Sequence, residues 1–344
     1  MHSVFKNLLA VLAGLLISIL LVIVIDKVFG WVTNTKVSRS HFFAQSTDTD
    51  GLGWSARNEG KLVGSEAGYT LKHKETAADK VLFDVTYNFD DLYRRNVTGT
   101  PSKEVDKFVL FFGGSQTFGE GLDDQDTIPS LIQKSAPDHR VYNYAYKGYG
   151  PHQMLKKLQT NTLATEVAEG QGIAFFQYFD FHVQRAVGTL SYVSWAGGRA
   201  PYYTVNDVGQ LEQRGSFATG RFWTTLLYWI LGKSAIATHY RVELPRNISE
   251  YHHDLVCQVI TASRDEFLNQ YPHSRFVVVL GMTKRHGDPI VESCLEKYDL
   301  EFVDLRRKGR RLNGLKYPHN GHLTPKATRL IAKKLAPVVN AGNQ

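Results

Sequence analysis

The stretch FVLFFGGSQTFGEG, Phe108 to Gly121, decides how the chain is read. Five apolar residues run directly into two glycines and a serine, with two more glycines close behind. An unbroken apolar run of this length, stopped by glycine, is the pattern of a strand buried on both faces of a parallel sheet. Gly113 and Gly114 permit a sharp exit from the strand and let backbone N–H groups approach a substrate oxygen closely. Ligands of open parallel sheets bind beyond the carboxyl ends of the strands, and Ser115 falls there. Three commoner glycine motifs do not fit these letters. No lysine follows Gly119 as a phosphate-binding loop requires, Thr117 stands where the G-x-S-x-G elbow needs glycine, and the G-x-G-x-x-G register is missing. What is left is a serine on a glycine-lined turn, in need of a base.

Outward from this stretch, short apolar runs alternate with amphipathic segments. A helix is predicted from Thr127 to Lys134, a strand at VYNYAY, a helix from Met154 to about Val167 and a strand at IAFFQYF. The rhythm returns late, with a helix over Tyr251–Asn269, the strand RFVVVLG, a helix over Ile290–Lys297, the strand EFVDL and a last helix from Pro325 to about Val338. Alternation of this kind implies βαβ units and a five-stranded parallel sheet covered by helices on both faces. Between the two halves, at about 186–248, lies an aromatic-rich insertion. Within it YYTVNDVGQLEQRG reads as a hairpin turning at Asn206–Gly209, and RFWTTLLYWILG as a short, very apolar helix. That helix is too short to cross a bilayer, which leaves a core helix, a lid or a membrane-surface helix. Ahead of the sheet, GYTLKH and VLFDVTYNF read as a hairpin following a polar stalk. The expected organisation is an anchor over 1–31, a stalk and hairpin region over 32–105, and one α/β domain over 106–340.

The anchor is LLAVLAGLLISILLVIVI, Leu8 to Ile25, eighteen residues without a charge. A cleaved signal peptide is the competing reading, but DKVFGWVTNTK offers no small-x-small site, so an uncleaved single-pass helix is expected. Positive charges flank both ends and do not set its orientation. The net charge of +7 is concentrated: after Asp304 there is no carboxylate side chain and ten lysines and arginines. Beside a membrane anchor such a patch suits anionic headgroups or an acidic polymer, and no nucleic-acid partner is expected. Cys257 and Cys294 are too few for a disulfide framework and lack metal-ligand spacing; separate buried thiols are expected, with one bridge as the alternative for an exported domain.

The candidate base lies in YPHNGHLTPKATRLIAKKL. His322 precedes the final helix, beyond a strand end, and so shares a rim of the sheet with Ser115. A serine is activated when an imidazole takes its proton and a third group fixes the ring. With both segments in view, GGSQTFGEG and NGHLTPKATRLIA resemble the SGNH, or GDSL, hydrolase family, in a membrane-anchored, exported bacterial form similar to the periplasmic acetyltransferases of alginate biosynthesis. The resemblance covers about 106–180 and 275–337. It implies a three-layer α/β/α fold, Ser115 as nucleophile with Gly114 replacing the usual aspartate, His322 as base, and Ser115 and Gly148, the latter in NYAYKGYG, as oxyanion-hole N–H donors. It implies no cofactor and no metal.

Two departures stand out. The family's third block supplies an asparagine to the oxyanion hole, and FFQYFDFHVQR has none; Gln177, Asp180 and His182 are the substitutes on offer. The orienting acid before the histidine is also missing, where His319 and Asn320 stand. Asn320 is expected to accept the imidazole N–H through its amide oxygen, or a distant carboxylate such as Asp304 serves instead. The resemblance implies an esterase or O-acyltransferase acting on acyl esters of an envelope glycan or lipid, anchored in a bacterial inner membrane with its domain in the periplasm. Trp195, Tyr202 and Tyr203 are candidate sugar-stacking residues. The alternatives are a catalytically weak SGNH domain that binds polysaccharide or scaffolds an envelope complex, and a membrane-surface protein acting through the basic tail.

Overall fold

The computed structural model describes residues 2–37, 63–65, 68–77, 80–101, 104–283, 289–306, 312, 314–317 and 320–341. Most of the proposed stalk, the basic residues Arg307 to Arg311, and His319 lie outside these. The chain opens with helix α1 (His2–Val32), whose window from Val4 to Val32 is long and apolar enough to cross a membrane. A small antiparallel sheet follows: β1 (Val63–Ser65), β2 (Gly68–Ala77) and β3 (Lys80–Phe89).

The main sheet begins at β4 (Lys107–Phe112), after which come α2 (Ser115–Phe118), α3 (Ile128–Ser135), β5 (Arg140–Asn143), α4 (Pro151–Gln159), α5 (Leu163–Glu166), β6 (Gln171–Tyr178) and α6 (Phe181–Val187). The helix expected over 154–167 is therefore two helices. Between them Asn161 adopts a positive φ of 54°, a conformation asparagine tolerates better than most residues and one that ends a right-handed helix. The aromatic insertion contributes α7 (Leu190–Ala196), the hairpin β7 (Pro201–Val205) and β8 (Leu211–Ser216), then α8 (Phe217–Gly220), α9 (Phe222–Leu231) and α10 (Ala235–His239). The α/β pattern resumes with α11 (Glu250–Gln270), β9 (Arg275–Leu280), α12 (Pro289–Lys297), β10 (Phe302–Asp304) and α13 (Pro325–Asn340).

All five strands of the main sheet are parallel, in the order β10-β9-β6-β4-β5. Successive side chains of a strand point to opposite faces, so β4 feeds two cores. Phe108, Leu110 and Phe112 pack with Met154 of α4, Val183 of α6 and Ile260 of α11. On the other face Val109 and Phe111 pack with Ile132 of α3 and Ile331 of α13. The apolar run of β4 has no polar alternation because neither face meets water. Leaving β4 the chain builds β5 on one side and then crosses to build β6 on the other, which opens a crevice at the carboxyl ends of β4 and β6. The hairpin of β2 and β3 closes over this end, its Leu71, Phe83, Tyr87 and Phe89 packing against Phe118 and Tyr146.

Cys257 and Cys294, expected as separate thiols, are joined in a disulfide between α11 and α12. The two helices lie side by side on one face of the sheet and bring the Cα atoms to 6.1 Å, within the reach of a bridge.

Candidate active site

Gly113 leaves β4 with φ +154°, and a Cβ there would stand 2.2 Å from Thr117 Oγ1. Only glycine lets the chain double back so tightly into the single turn of α2, at whose first residue stands Ser115. The turn is held from beneath by β6, where Gln177 Oε1 accepts from Thr117 Oγ1 at 2.7 Å. From the hairpin side, buried Arg95 pairs with Asp124 at 2.9 Å and donates to the carbonyls of Phe118, Gly119 and Leu122 at 2.9, 2.6 and 2.5 Å. Arg95 thereby satisfies the Phe118 carbonyl at the end of α2 and two carbonyls of the loop that follows it.

His322 lies in the turn before α13. Its backbone oxygen accepts from Tyr317 N at 2.8 Å, and Gln116, the residue after the serine, brackets it with both ends of one amide: Nε2 donates to Gly321 O at 3.1 Å and Oε1 accepts from Leu323 N at 3.0 Å. The result is a contact of 2.9 Å between Ser115 Oγ and His322 Nε2. Ser115 is buried and His322 half-buried.

Asn320 does not reach the ring. Its Oδ1 accepts from the backbone N–H of His322 at 3.0 Å and its Nδ2 donates to Glu75 Oε2 at 2.8 Å, so the amide shapes the turn and ties it to β2. Asp304 is also elsewhere, bound to Arg306. His322 Nδ1 is buried without a hydrogen-bond partner among the described residues. The carboxylate that does meet the imidazole is Glu120, whose Oε2 stands 3.2 Å from Nε2, on the same side as the serine. Burial works to raise the Glu120 carboxyl, but the hydrogen bond and charge of His322, with Lys147 and His73 behind them, outweigh it and hold it below the ordinary carboxylate value.

The other predicted residues divide. Gly148, with φ +82°, sits at the crevice, where a Cβ would be 2.7 Å from the Trp195 ring and Tyr192 Oη donates to its carbonyl at 3.4 Å. Gln177 is beneath α2, bound to Thr117, and Asp180 is half-exposed at the start of α6. His182 faces the site more directly. Its Nδ1 accepts from Phe179 N at 3.2 Å, which leaves the proton on Nε2, and Nε2 is buried with no partner among the described residues. Desolvation, reinforced by the charge of Arg185, keeps this ring neutral.

Arg185 of α6 is a site residue that the sequence did not single out. A Cβ on Gly114 would lie 2.6 Å from its Nη1 and 3.4 Å from His182 Nε2. The guanidinium thus fills the side-chain space of the residue before Ser115, which glycine leaves open. Nη1 donates to Tyr149 O at 2.6 Å and the group lies 4.4 Å over the Phe181 ring. Among the described residues it has no carboxylate partner, and burial lowers its pKa to about 10. The signal in the sequence was the Gly114 departure itself: a missing side chain is room for another. Of the candidate stacking residues, Trp195 is 48% exposed beside Gly148, whereas Tyr203 is buried and bonded to Gln159 and Tyr202 packs on Phe217.

No protein-family model and no curated protein matches the chain. Among solved structures it is similar to a lipolytic protein of the G-D-S-L family from Desulfitobacterium hafniense, at 12% identity and a TM-score of 0.38 over 67% of this chain and 98% of that one. It is also similar to a family 2 carbohydrate esterase from Corynascus thermopiles, at 11% identity and a TM-score of 0.41 over 74% of each chain. An acetyl xylan esterase from Butyrivibrio proteoclasticus matches at 11% identity and a TM-score of 0.40 over 70% of this chain and 64% of that one.

Proposed function

We propose that the chain is a serine-dependent acyl-transfer enzyme, an ester hydrolase or O-acyltransferase. The observation that carries this is the 2.9 Å contact between Ser115 Oγ and His322 Nε2 at the carboxyl end of a parallel sheet. Ser115 Oγ attacks the carbonyl carbon of an ester while His322 Nε2 takes its proton, and the carbonyl oxygen becomes the oxyanion. The C–O bond to the alcohol then breaks, the alcohol leaves with the proton from His322, and an acyl-serine remains. Water or a sugar hydroxyl, deprotonated by His322 in turn, releases the acyl group and restores the serine.

Glu120, 3.2 Å from Nε2, lies against the positive charge that the ring acquires on taking the serine proton. The Ser115 and Gly148 N–H groups are the backbone donors of this reading. For the third we infer Arg185, with His182 Nε2 behind it, in place of the absent asparagine. A half-buried guanidinium that has no ion-paired carboxylate among the described residues, with the Glu120 charge only partly offsetting its desolvation, is costly to hold in a resting site and is stabilised when negative charge develops beside it.

Trp195, exposed at the edge of Gly148, supports a substrate with a flat apolar face, such as a pyranose ring carrying an acyl ester. The apolar α1 supports a single-pass anchor, and the disulfide supports an oxidising compartment, which for a bacterial inner-membrane protein is the periplasm. Treatment of the full-length protein with a fluorophosphonate, followed by assays on 4-nitrophenyl acetate with and without a sugar acceptor, tests the reading. Labelling and acetate release that both vanish in Ser115→Ala and His322→Ala are expected. Neither in a folded native protein would favour a polysaccharide-binding or scaffolding domain instead.

A further inference from the structure

The apolar segment RFWTTLLYWILG is half on the surface. In α9 only Thr225 and Tyr228 are turned fully inward, against the body of the insertion. Trp223, Leu227 and Ile230, at i, i+4 and i+7, form one stripe and are 78%, 51% and 53% exposed. Three large apolar side chains in a row facing water call for a cover.

The location of this stripe identifies the cover. The carboxyl end of α1 is docked on the loop and helix that follow α9. Asp26 caps the first turn of α10, accepting from Ser234 Oγ at 2.6 Å, from Ala235 N at 2.9 Å and from Ile236 N at 3.0 Å. Gly30 makes the approach possible, since a Cβ there would stand 2.7 Å from the Ala235 Cβ, and Phe29 packs on His239 and Tyr240. Asp26 is also the first charge after the apolar run Leu8–Ile25, which at ~1.5 Å per residue is about as long as a hydrocarbon core is thick. The dock is therefore at the level where the span meets the headgroups. Ile230 is only four residues before Ser234, so the stripe is within about 14 Å of chain from that level. The segment from Arg214 to Arg246 is basic, with five arginines and lysines against the single acid Glu243, as suits anionic headgroups.

We propose that α9 lies in the interfacial layer of the bilayer that α1 enters, with Trp223, Leu227 and Ile230 set among the lipid headgroups and upper acyl chains. This rests on the anchor reading of α1. The geometry carries a consequence for the site. Helix α7 packs closely along α9, where a Cβ on Gly232 would meet the Ser194 Cβ at 2.3 Å, and α7 bears Trp195, the exposed ring beside Gly148. A membrane-bound α9 thus brings the Trp195 edge of the active site towards the lipid surface, where an acyl ester on a lipid-linked carrier is presented.

The test uses the full-length protein in nanodiscs containing anionic lipid. Single cysteines introduced as Leu227→Cys, Ile230→Cys, Leu15→Cys and Val208→Cys are labelled with an environment-sensitive nitrobenzoxadiazole without reducing the native disulfide. Val208, 77% exposed on the β7–β8 hairpin, is the water-facing control, and Leu15 reports the span. At 227 and 230, blue-shifted emission quenched more by a nitroxide near the headgroup end of the lipid chain than by one near its terminus is expected, with protection from aqueous iodide. Leu15 should show the opposite depth preference and Val208 iodide quenching alone. If 227 and 230 follow Val208 while Leu15 is lipid-quenched, α9 is not membrane-bound although the anchor is. Protection from iodide without lipid quenching would assign the stripe to a protein surface and likewise overturn the proposal. Absence of lipid quenching at Leu15 would remove the anchor reading and this inference together.

Discussion

Gly114, the residue before Ser115, has no side chain, and what fills the side-chain space beside it sets the electrostatics of the candidate site. That space is taken by the Arg185 guanidinium, and two neutral histidines, His152 and His182, stand nearby, kept uncharged by burial and by that same cation. If Arg185 serves the oxyanion, its work is done in the transition state and little of it in substrate binding. Arg185→Gln is then expected to lower kcat on a soluble acetyl ester on the order of a hundredfold. KM should change little, and Arg185→Lys should recover part of the loss because it returns a charge without the fork. Steady-state kinetics decide it; a rise in KM at unchanged kcat would make Arg185 a substrate-binding residue instead.

At the scale of elements, α2 is a single turn with almost no stability of its own, yet it must hold Ser115 Oγ to within hydrogen-bond reach of a histidine on a distant loop. Two outside groups and one side chain of α2 itself supply the rigidity: Gln177 from β6 and Arg95 from the segment after β3 hold the turn, and Gln116 bridges it to the His322 turn. Arg95 carries most of this. It is fully buried, stacks 4.4 Å over the Tyr87 ring and is the ion-pair partner of buried Asp124. Arg95→Met fills similar volume but leaves the buried Asp124 carboxylate without its cation, with Asn88 as its remaining side-chain donor, and takes a donor from three carbonyls, so a loss of about 3–5 kcal/mol is expected. Urea unfolding checks that value, and residual folded protein should also show slower fluorophosphonate labelling, since the loop from Phe118 to Leu122 loses its clamp. Unchanged stability and labelling would mean that the hairpin only covers the site.

For the molecule as a whole, the buried neutral histidines set a pH limit. Desolvation, helped by the Arg185 charge, lowers His152 to about 3, and His182 is also pushed well below its ordinary value. In the unfolded chain both rings take a proton below pH ~6.5. The unfolded state then binds more protons than the folded one, so stability is complete above pH ~6.5 and falls as the pH drops towards the folded-state values. Each ring costs about 1.4 kcal/mol per pH unit in that window. Urea midpoints measured between pH 7.5 and 5 should therefore fall, and His152→Met, which has nothing to protonate, should flatten the slope whatever its stability at pH 7.5. An identical slope in the variant would rule out His152 as a source.

Much of this architecture follows from the sequence alone, for a local reason. The unbroken apolar run of β4, the alternation of buried runs with amphipathic helices and the eighteen uncharged residues of α1 are periodicities that a chain carries whatever its partners. They placed Ser115 at a strand end and His322 ahead of the last helix. Tertiary structure alone decided which charges meet there. Glu120 is printed in the opening stretch, but only the return of the His322 turn puts its carboxylate on the ring; Asn320, next door in sequence, turns to the backbone and to Glu75. Arg95 and the dock of Asp26 on α10 are silent in one dimension, Arg185 is hinted at only by the glycine at 114, and the Cys257–Cys294 bridge is only one of two readings of the sequence. Each joins segments far apart in the chain, and the free energy of such contacts comes from burial that does not exist until the layers have packed.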